Sequence, residues 1–368
     1  MSNKMTTILC SGVALGVYIP AMLLNHTLRK EKVLTDVVVL ENLIMKEKKD
    51  KINDNKKAFH NSFAVALKGQ KMARDIRPSL DEDIVQSLFE QWEREKRKDF
   101  IIFSGFWLPI IEDYLHKTGY TDSCIDLCHM DADYSASWKN YKNICSKYNN
   151  IWLFSWEEKC VHCEIAITDK VPVPYEQRHN CFVIHGGGWG MGTYQSKIPQ
   201  LEKEKIPLDI VIYDMCEAEN KKEQNRYFMV SPDWSPWMKN DAGEHEFPYF
   251  GQVLETGEAT YNNREAYHEL FDIIRYDKAI ISKPGGATLL DSLASATPII
   301  MLDSFGAYEH KNMLLWEHMG FGIRYEEWER SNFSMDMLEG LHDNLMGIRG
   351  SLLDYGRAYA TKNRNENG

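Results

Sequence analysis

Three turns in this chain carry the residues best suited to chemistry. The first reads Ser282-Lys-Pro-Gly-Gly-Ala-Thr-Leu-Leu-Asp291. It follows an apolar run and opens a helical one. Gly285 and Gly286 permit close backbone approach, and the free N–H groups of a helix start at Gly285 to Thr288, Ala287 included, suit a diphosphate. Asp291 lies a turn further on, at a distance suited to a pair of ribose hydroxyls. The same spacing also fits a plain glycine turn with Asp291 in solvent. The second turn, Asp303-Ser-Phe-Gly-Ala-Tyr-Glu-His-Lys-Asn312, offers Glu309, His310 and Asn312 to hydroxyl groups. Helix capping accounts for such residues equally well. The third is the loop Gly186-Gly-Gly-Trp-Gly-Met-Gly192, where Gly187 and Gly188 bring backbone close to a ligand. It lacks the Gly-Lys-Ser/Thr of a P-loop and the spacing of a dinucleotide fingerprint.

These turns need strands and helices to hold them, and the surrounding pattern supplies both. Thr7 to Cys10, Asp36 to Leu40, Phe100 to Phe103 and Cys124 to Leu127 read as buried strands. Ile151 to Phe154 and Glu164 to Ile167 read as shorter ones. Helices are predicted from Ile19 to Lys32, with Pro20 near the first turn, over Leu80 to Lys98 and over Pro109 to Lys117. The basic stretch Lys46 to Lys57 reads as a solvated loop or mobile helix end, with a basic lip for an anionic surface as the alternative. After Val171-Pro-Val-Pro174, an extended linker, the alternation restarts at Cys181 to His185. Further strands are expected at Leu208 to Tyr213, Tyr227 to Val230, Lys278 to Ser282 and Pro298 to Leu302. Asn262 and Glu265 suggest a capping box for a helix reaching Arg275. Strands alternating with helices imply an α/β fold with parallel sheets, whose ligands sit beyond the carboxyl ends of the strands.

Bulk properties narrow the function. The chain has 368 residues, 43% hydrophobic and 26% charged, enough for two cores. A net charge of −11 argues against nucleic acid as a partner. Eight cysteines in a chain this long read as reduced thiols of a cytoplasmic protein. Thr6 to Leu24 is apolar enough to resemble a signal peptide or membrane anchor. Ser11, Gly12, Gly16 and Pro20 interrupt it, and a strand, turn and helix fit better. Cys160-Val-His-Cys163, with Cys124, Cys128 and His129, has spacings a zinc ion tolerates. Cys124 and Cys128 flank strand residues, however, so small buried hydrophobes are expected and no metal site.

From Ile280 to Gly322 the order and spacing of Ser-Lys-Pro-Gly-Gly-Ala-Thr-Leu-Leu-Asp, Thr-Pro-Ile-Ile-Met-Leu-Asp and Glu-His-Lys-Asn resemble the GT-B glycosyltransferases. Within them the chain looks most like the monogalactosyldiacylglycerol synthases and the lipid II N-acetylglucosaminyltransferases. The Gly186 loop and Phe250-Gly-Gln-Val253 are similar to weaker family elements. The resemblance implies two Rossmann-like domains facing across a cleft: 1–172 for the acceptor and 173–334 for the nucleotide sugar. It also implies a helical segment, 335–368, with the N-terminal domain as the surface it packs on. By the same resemblance Gly285 to Thr288 would hold the diphosphate, Asp291 the ribose, Glu309 and Asn312 the donor sugar and nearby phosphate, and Gln252 and Val253 the nucleobase. The co-substrate would be a nucleoside-diphosphate sugar, with UDP favoured and no separate cofactor. The acceptor would be a small molecule or a lipid. Peripheral membrane contact is open for that reason, and oligomeric state is not readable.

In the N-terminal half, Asp126-Leu-Cys-His129 and Trp138 resemble the segment where lipid galactosyltransferases carry a cleft-facing His and Trp. The first turn departs from the family. Where relatives have Gly-Gly-His, this chain has Leu15-Gly16-Val17, and valine cannot take a proton. Transfer to a hydroxyl needs a proton acceptor, so His129, Asp131 and Asp133, which follow a strand, are the candidates. The expected reaction is an inverting, metal-independent single displacement. An epimerase or hydrolase on this fold and a non-catalytic nucleotide-sugar-binding subunit are the rivals. Trp234 and Trp237 either wall an acceptor site or pack a long loop down.

Overall fold

The computed structural model describes residues 4–70 and 75–367. Two large sheets and two two-stranded ribbons are built among the described residues. The first is a five-stranded parallel sheet: β1 (Thr6–Cys10), β2 (Thr35–Val39), β3 (Asp99–Ile102), β4 (Cys124–His129) and β5 (Asn149–Trp152), in the order β2-β1-β3-β4-β5. Its central strands β1 and β3 are buried along their whole length because helices cover both faces. Those helices include α1 (Leu15–Lys30), α4 (Glu82–Arg94) and α5 (Leu108–Thr118). Between β2 and β3 come two further helices, α2 (Lys51–Asn61) and α3 (Phe63–Gln70).

The second sheet has eight strands. Five parallel neighbours, β7 (Leu208–Val211), β6 (His179–His185), β11 (Asp277–Ser282), β12 (Ile299–Met301) and β13 (Gly322–Arg324), lie in that order. On the far side of β7 the parallel β8 (Arg226–Val230) is followed by the antiparallel β9 (Phe250–Val253) and β10 (Ala259–Asn262). The helices that matter for the site are α6 (Tyr194–Lys203), α7 (Leu270–Tyr276), α8 (Gly286–Ser295) and α9 (Ala307–Met319). Then come α10 (Met335–Ile348) and the last helix, α11 (Tyr355–Asn367).

The two sheets share a core. Leu23 and Leu24 of α1 and Leu289, Leu290 and Leu293 of α8 belong to one buried apolar cluster, so the helices pack against each other. The chain's end returns to the first sheet: Tyr355 Oη donates to Asp126 Oδ2 (2.6 Å), and Tyr359 Oη lies 3.2 Å from Thr6 Oγ1. A second link is the 231–249 segment between β8 and β9. Tyr18 Oη of α1 donates to the Glu246 carbonyl (2.7 Å) and Trp234 meets the Tyr18 ring edge-on. Pro236 packs so close to Gly12 that a Cβ there would lie 2.5 Å from the proline ring. Trp234 and Trp237 thus hold this segment down and do not line the cleft described below.

Several sequence expectations need correction. The helix after β1 begins at Leu15, one turn before the expected Ile19, which puts Pro20 inside it. Asn262 ends a strand and caps nothing; the helix begins at Leu270. Lys46 to Lys57 is helical and not a loop; most of it is exposed, as its charge suggests, with Ile52 buried and Lys56 half-buried where α2 lies against the second sheet's loops. Phe59 stacks on Trp189 (5.5 Å), and Lys56 sits over the rings of Trp189 and Trp237. Thr6 to Leu24, by contrast, forms a strand, a turn and the start of a helix as expected, namely β1 and α1. Among the described residues no helix is long and apolar enough to cross a membrane.

Candidate functional site

A cleft of about 400 Å³ lies where the carboxyl ends of the two sheets face each other. The second sheet contributes Gly187, Gly188, Gly285, Gly286, Ala287, Thr288, Asp291 and Glu309; the first contributes the 13–17 turn, Asp131 and 135–137. Val17, standing where the resemblance called for a histidine, lines the cleft.

The glycine turn is positioned by β11 and α8. Buried β11 delivers the chain to Gly285, which caps α8 in an extended conformation. The first N–H groups of a helix, here Gly286, Ala287 and Thr288, have no acceptor within it. One of them, Gly286 N–H, lies near enough to Asp131 across the domain boundary to favour its ionised form. This approach is so close that a Cβ on Gly286 would lie 2.1 Å from the Met130 carbonyl. Beside the turn, Lys283 Nζ pairs with Glu309 Oε1 (3.1 Å), and Glu309 Oε2 accepts from Phe305 N–H (2.6 Å). Asp291 Oδ1 is 3.1 Å from His268 Nε2, both side chains being nearly buried.

The three proton-acceptor candidates separate. Asp131 lines the cleft and is buried. Burial pushes its carboxyl up to about 7. The Asn312 hydrogen bond, Lys283 and Gly286 N–H pull it down, while the Glu309 charge raises it. His129 lies inside the first domain, stacked on Trp152 at 4.0 Å with Nε2 2.8 Å from Asn150 Oδ1. Burial lowers it to about 4, and it does not line the cleft. Asp133 accepts from Tyr134 N–H (2.7 Å) and is also outside the cleft lining.

Three donor-site expectations are placed elsewhere. Asn312 is fully buried. Its amide donates to Asp131 Oδ1 and to the Pro284 carbonyl, both at 2.8 Å, and its oxygen accepts from Ala132 N–H (2.7 Å). It ties the loop after β4 to the glycine turn and does not face the cleft. Val253 is in the second sheet's core, and Gln252 lines a separate surface groove beside β9 and β10. The antiparallel turn-back at β9 carries both away from the parallel strand ends that form the cleft.

Sequence reasoning missed Glu41, His185, Lys283 and His268. Buried Glu41 accepts from Ser11 Oγ (2.7 Å), Gly12 N–H (2.6 Å) and Val13 N–H (3.0 Å), fixing the first turn. His185 and Lys283 stand at strand ends directly before glycine turns, a signal the sequence contained. Glu41 and His268 are brought in from distant positions without a local signal.

No family model matches the chain, and no curated protein matches it in sequence. Solved structures do match it in three dimensions along its whole length. MurG of Acinetobacter baumannii aligns at TM-score 0.56 and 10% identity, covering 98% of this chain and 99% of that one. The glycosyltransferase SnogD of Streptomyces nogalater aligns at 0.52 and 12%, covering 100% of both. The glycosyltransferase VinC, solved in complex with DTDP, aligns at 0.51 and 9%, covering 98% and 100%. With two largely parallel sheets facing across a cleft and full-length likeness to these proteins, the chain has the GT-B glycosyltransferase fold.

Proposed function

We propose that this protein is a glycosyltransferase that moves a sugar from a nucleoside-diphosphate sugar to an acceptor hydroxyl, with inversion at the anomeric carbon. The observation that carries the reading is a helix start from one domain and a buried carboxyl from the other, brought side by side at the lining of one cleft. The N–H groups of Ala287 and Thr288 and the Lys283 ammonium supply positive potential for a diphosphate. Asp131, on the facing domain's loop beside Gly286, ionises near neutral pH, where a general base works best.

In the proposed reaction the acceptor oxygen attacks the anomeric carbon as its proton passes to Asp131. The bond from that carbon to the diphosphate oxygen breaks, and its electron pair leaves with the diphosphate. Helix N–H groups and Lys283 take up the developing charge, a role that in this reading requires no metal. Asp291, held by His268, is assigned to the ribose hydroxyls. UDP is the favoured nucleotide through the sequence resemblance. VinC binding DTDP supports a nucleoside diphosphate as the class.

Thermal shift with UDP, dTDP, GDP, ADP and NAD tests the donor site. A ligand at 100 times its dissociation constant adds about 2.7 kcal/mol to stability. A shift with a nucleoside diphosphate that Asp291→Ala abolishes is expected. No shift with any diphosphate, or one with NAD alone, would remove the reading. Product configuration, read by NMR of the anomeric proton, then tests inversion.

A further inference from the structure

We propose that His185 donates a hydrogen bond from Nε2 to the diphosphate of the bound nucleotide, from the same second-sheet wall of the cleft as the Ala287 and Thr288 N–H groups. The proposal rests on the donor-site reading above and adds to it a contact from β6.

The tautomer follows from the neighbours. Gly187 N–H, which can only donate, lies 3.0 Å from His185 Nδ1, so Nδ1 carries the lone pair. Ser282 Oγ, 3.4 Å from the same nitrogen, has its hydrogen on the His185 carbonyl at 2.9 Å. A neutral imidazole with its lone pair on Nδ1 bears its proton on Nε2. The ring is neutral: burial, then the charges of Lys283 and His268, depress it to about 3. Nε2 is therefore an N–H donor. It is buried, has no partner, and belongs to a residue that is 4% exposed and lines the cleft.

A buried donor without an acceptor is rare in folded proteins, and a ligand oxygen is a standard reason for one. The neighbours indicate which ligand. Lys283 and the Gly187 turn are next to the ring, and Gly285 to Thr288 line the same cleft. These present backbone N–H groups and an ammonium that Glu309 pairs at 3.1 Å, a set of donors that fits an anionic oxygen. A neutral donor has an advantage over a cation here, because its hydrogen bond does not vary with pH across the physiological range. Fixed by Gly187, it also needs no reorganisation when charge builds on the leaving diphosphate.

Two substitutions separate this role from a structural one. In His185→Asn the side-chain oxygen reproduces Nδ1 and keeps the Gly187 bond, but no atom reaches the Nε2 position. In His185→Gln the amide nitrogen reproduces Nε2, and the Gly187 bond is lost. Binding of UDP and of uridine to the full chain is measured by calorimetry. UDP affinity is expected to fall about 10- to 100-fold in His185→Asn, as for loss of a hydrogen bond to a charged group. It should stay within a few-fold of wild type in His185→Gln, and uridine affinity should change in neither. Wild-type UDP affinity in His185→Asn, or equal loss in both variants and for uridine, overturns the proposal while leaving the donor site intact. A wild-type protein that binds no nucleoside diphosphate overturns the donor-site reading itself, and this contact with it. As a second readout, the Nε2–H resonance of ¹⁵N-labelled imidazole should move with UDP and not with uridine.

Discussion

The two walls of the cleft are built in opposite ways. The second-sheet wall is largely backbone, from the Gly186 loop and the run Ser282 to Asp291, the latter held by a buried strand and a ten-residue helix. The first-sheet wall is assembled from a distance. Glu41 holds the Ser11–Val13 turn from thirty residues away, and Asn312 holds the Asp131 loop from the other domain. Backbone donors need only a glycine turn and a helix to exist. A carboxyl tuned to neutrality needs neighbours to bury it, and these come from elsewhere in the chain. The wall assigned to charge is therefore local, and the wall assigned to the proton is not.

Removing the proton acceptor should break this contrast most severely. Asp131→Asn is expected to lower kcat about 10²- to 10⁴-fold, the usual worth of a general base, with nucleotide affinity nearly unchanged. Because burial raises this acid to about 7, its base form is present above that pH and lost below it. Wild-type kcat/KM should therefore climb through pH 7 and level off above 8, and the residual rate of the variant should not show this limb. Since Val17 lines the cleft, Val17→His in the Asp131→Asn background should recover part of the rate. A flat wild-type profile would place the base on another residue.

The next largest effect tests whether the walls depend on each other. Gly286→Ala puts a methyl group 2.1 Å from the Met130 carbonyl, a backbone atom that no side-chain rotation relieves. The loop bearing Asp131 must then move away from α8. A displacement of about 1 Å at a reacting group can cost a factor near 10², and a loss in kcat/KM of that order is expected. Full activity would mean that the two walls act separately.

The same division explains what the sequence revealed. Periodicity and glycine turns located the parallel strands, and the Ser282–Asp291 turn stands at the cleft with Gly187 and Gly188. Those features are written in consecutive residues. Asn312 looked like a ligand residue because its position in α9 follows the strand end, yet its hydrogen bonds are spent on Asp131, Ala132 and Pro284. His129 looked like a base because it ends β4, and the ring is stacked inside the domain instead. Each error is a matter of which way a side chain turns, and that depends on partners far away in sequence. The charged stretch Lys46 to Lys57 is largely solvated, as its composition suggests, but Lys56 finds aromatic partners in the other domain that no local signal announced.

A smaller effect is expected at Asp291. Asp291→Asn keeps the shape and removes the charge that faces His268 at 3.1 Å. If the other oxygen receives the ribose hydroxyls, affinity for a ribonucleoside diphosphate should fall about tenfold, and less for its 2′-deoxy form. Equal losses for both, measured by calorimetry, would remove the 2′-hydroxyl from the assignment.

The smallest effect concerns the covering of the cleft by α2 and α3. His60, at the end of α2, lies with Nδ1 2.8 Å from the Gly190 carbonyl and Nε2 3.4 Å from Glu217 Oε1. Burial alone would lower its pKa from 6.5, but the hydrogen bonds to Glu217 and Gly190 outweigh it and the net shift is upward. Burial likewise opposes ionisation of Glu217, yet bonds from His60, Gln195 and two backbone N–H groups bring it down to about 2. The histidine's contribution is complete below its ordinary 6.5 and is lost as pH rises through the folded value; that of the glutamate is complete above 4.5 and is lost on approach to 2. Docking is therefore firmest between those ordinary values and weakens toward alkaline pH. Amide exchange of residues 51–70, corrected for its intrinsic pH dependence, should be about fivefold faster at pH 8.5 than at pH 6, the equivalent of about 1 kcal/mol. His60→Gln should exchange fast at both pH values. Equal protection at both in the wild-type protein would mean that Phe59 on Trp189 and Lys56 between the tryptophans hold these helices without help from the ion pair.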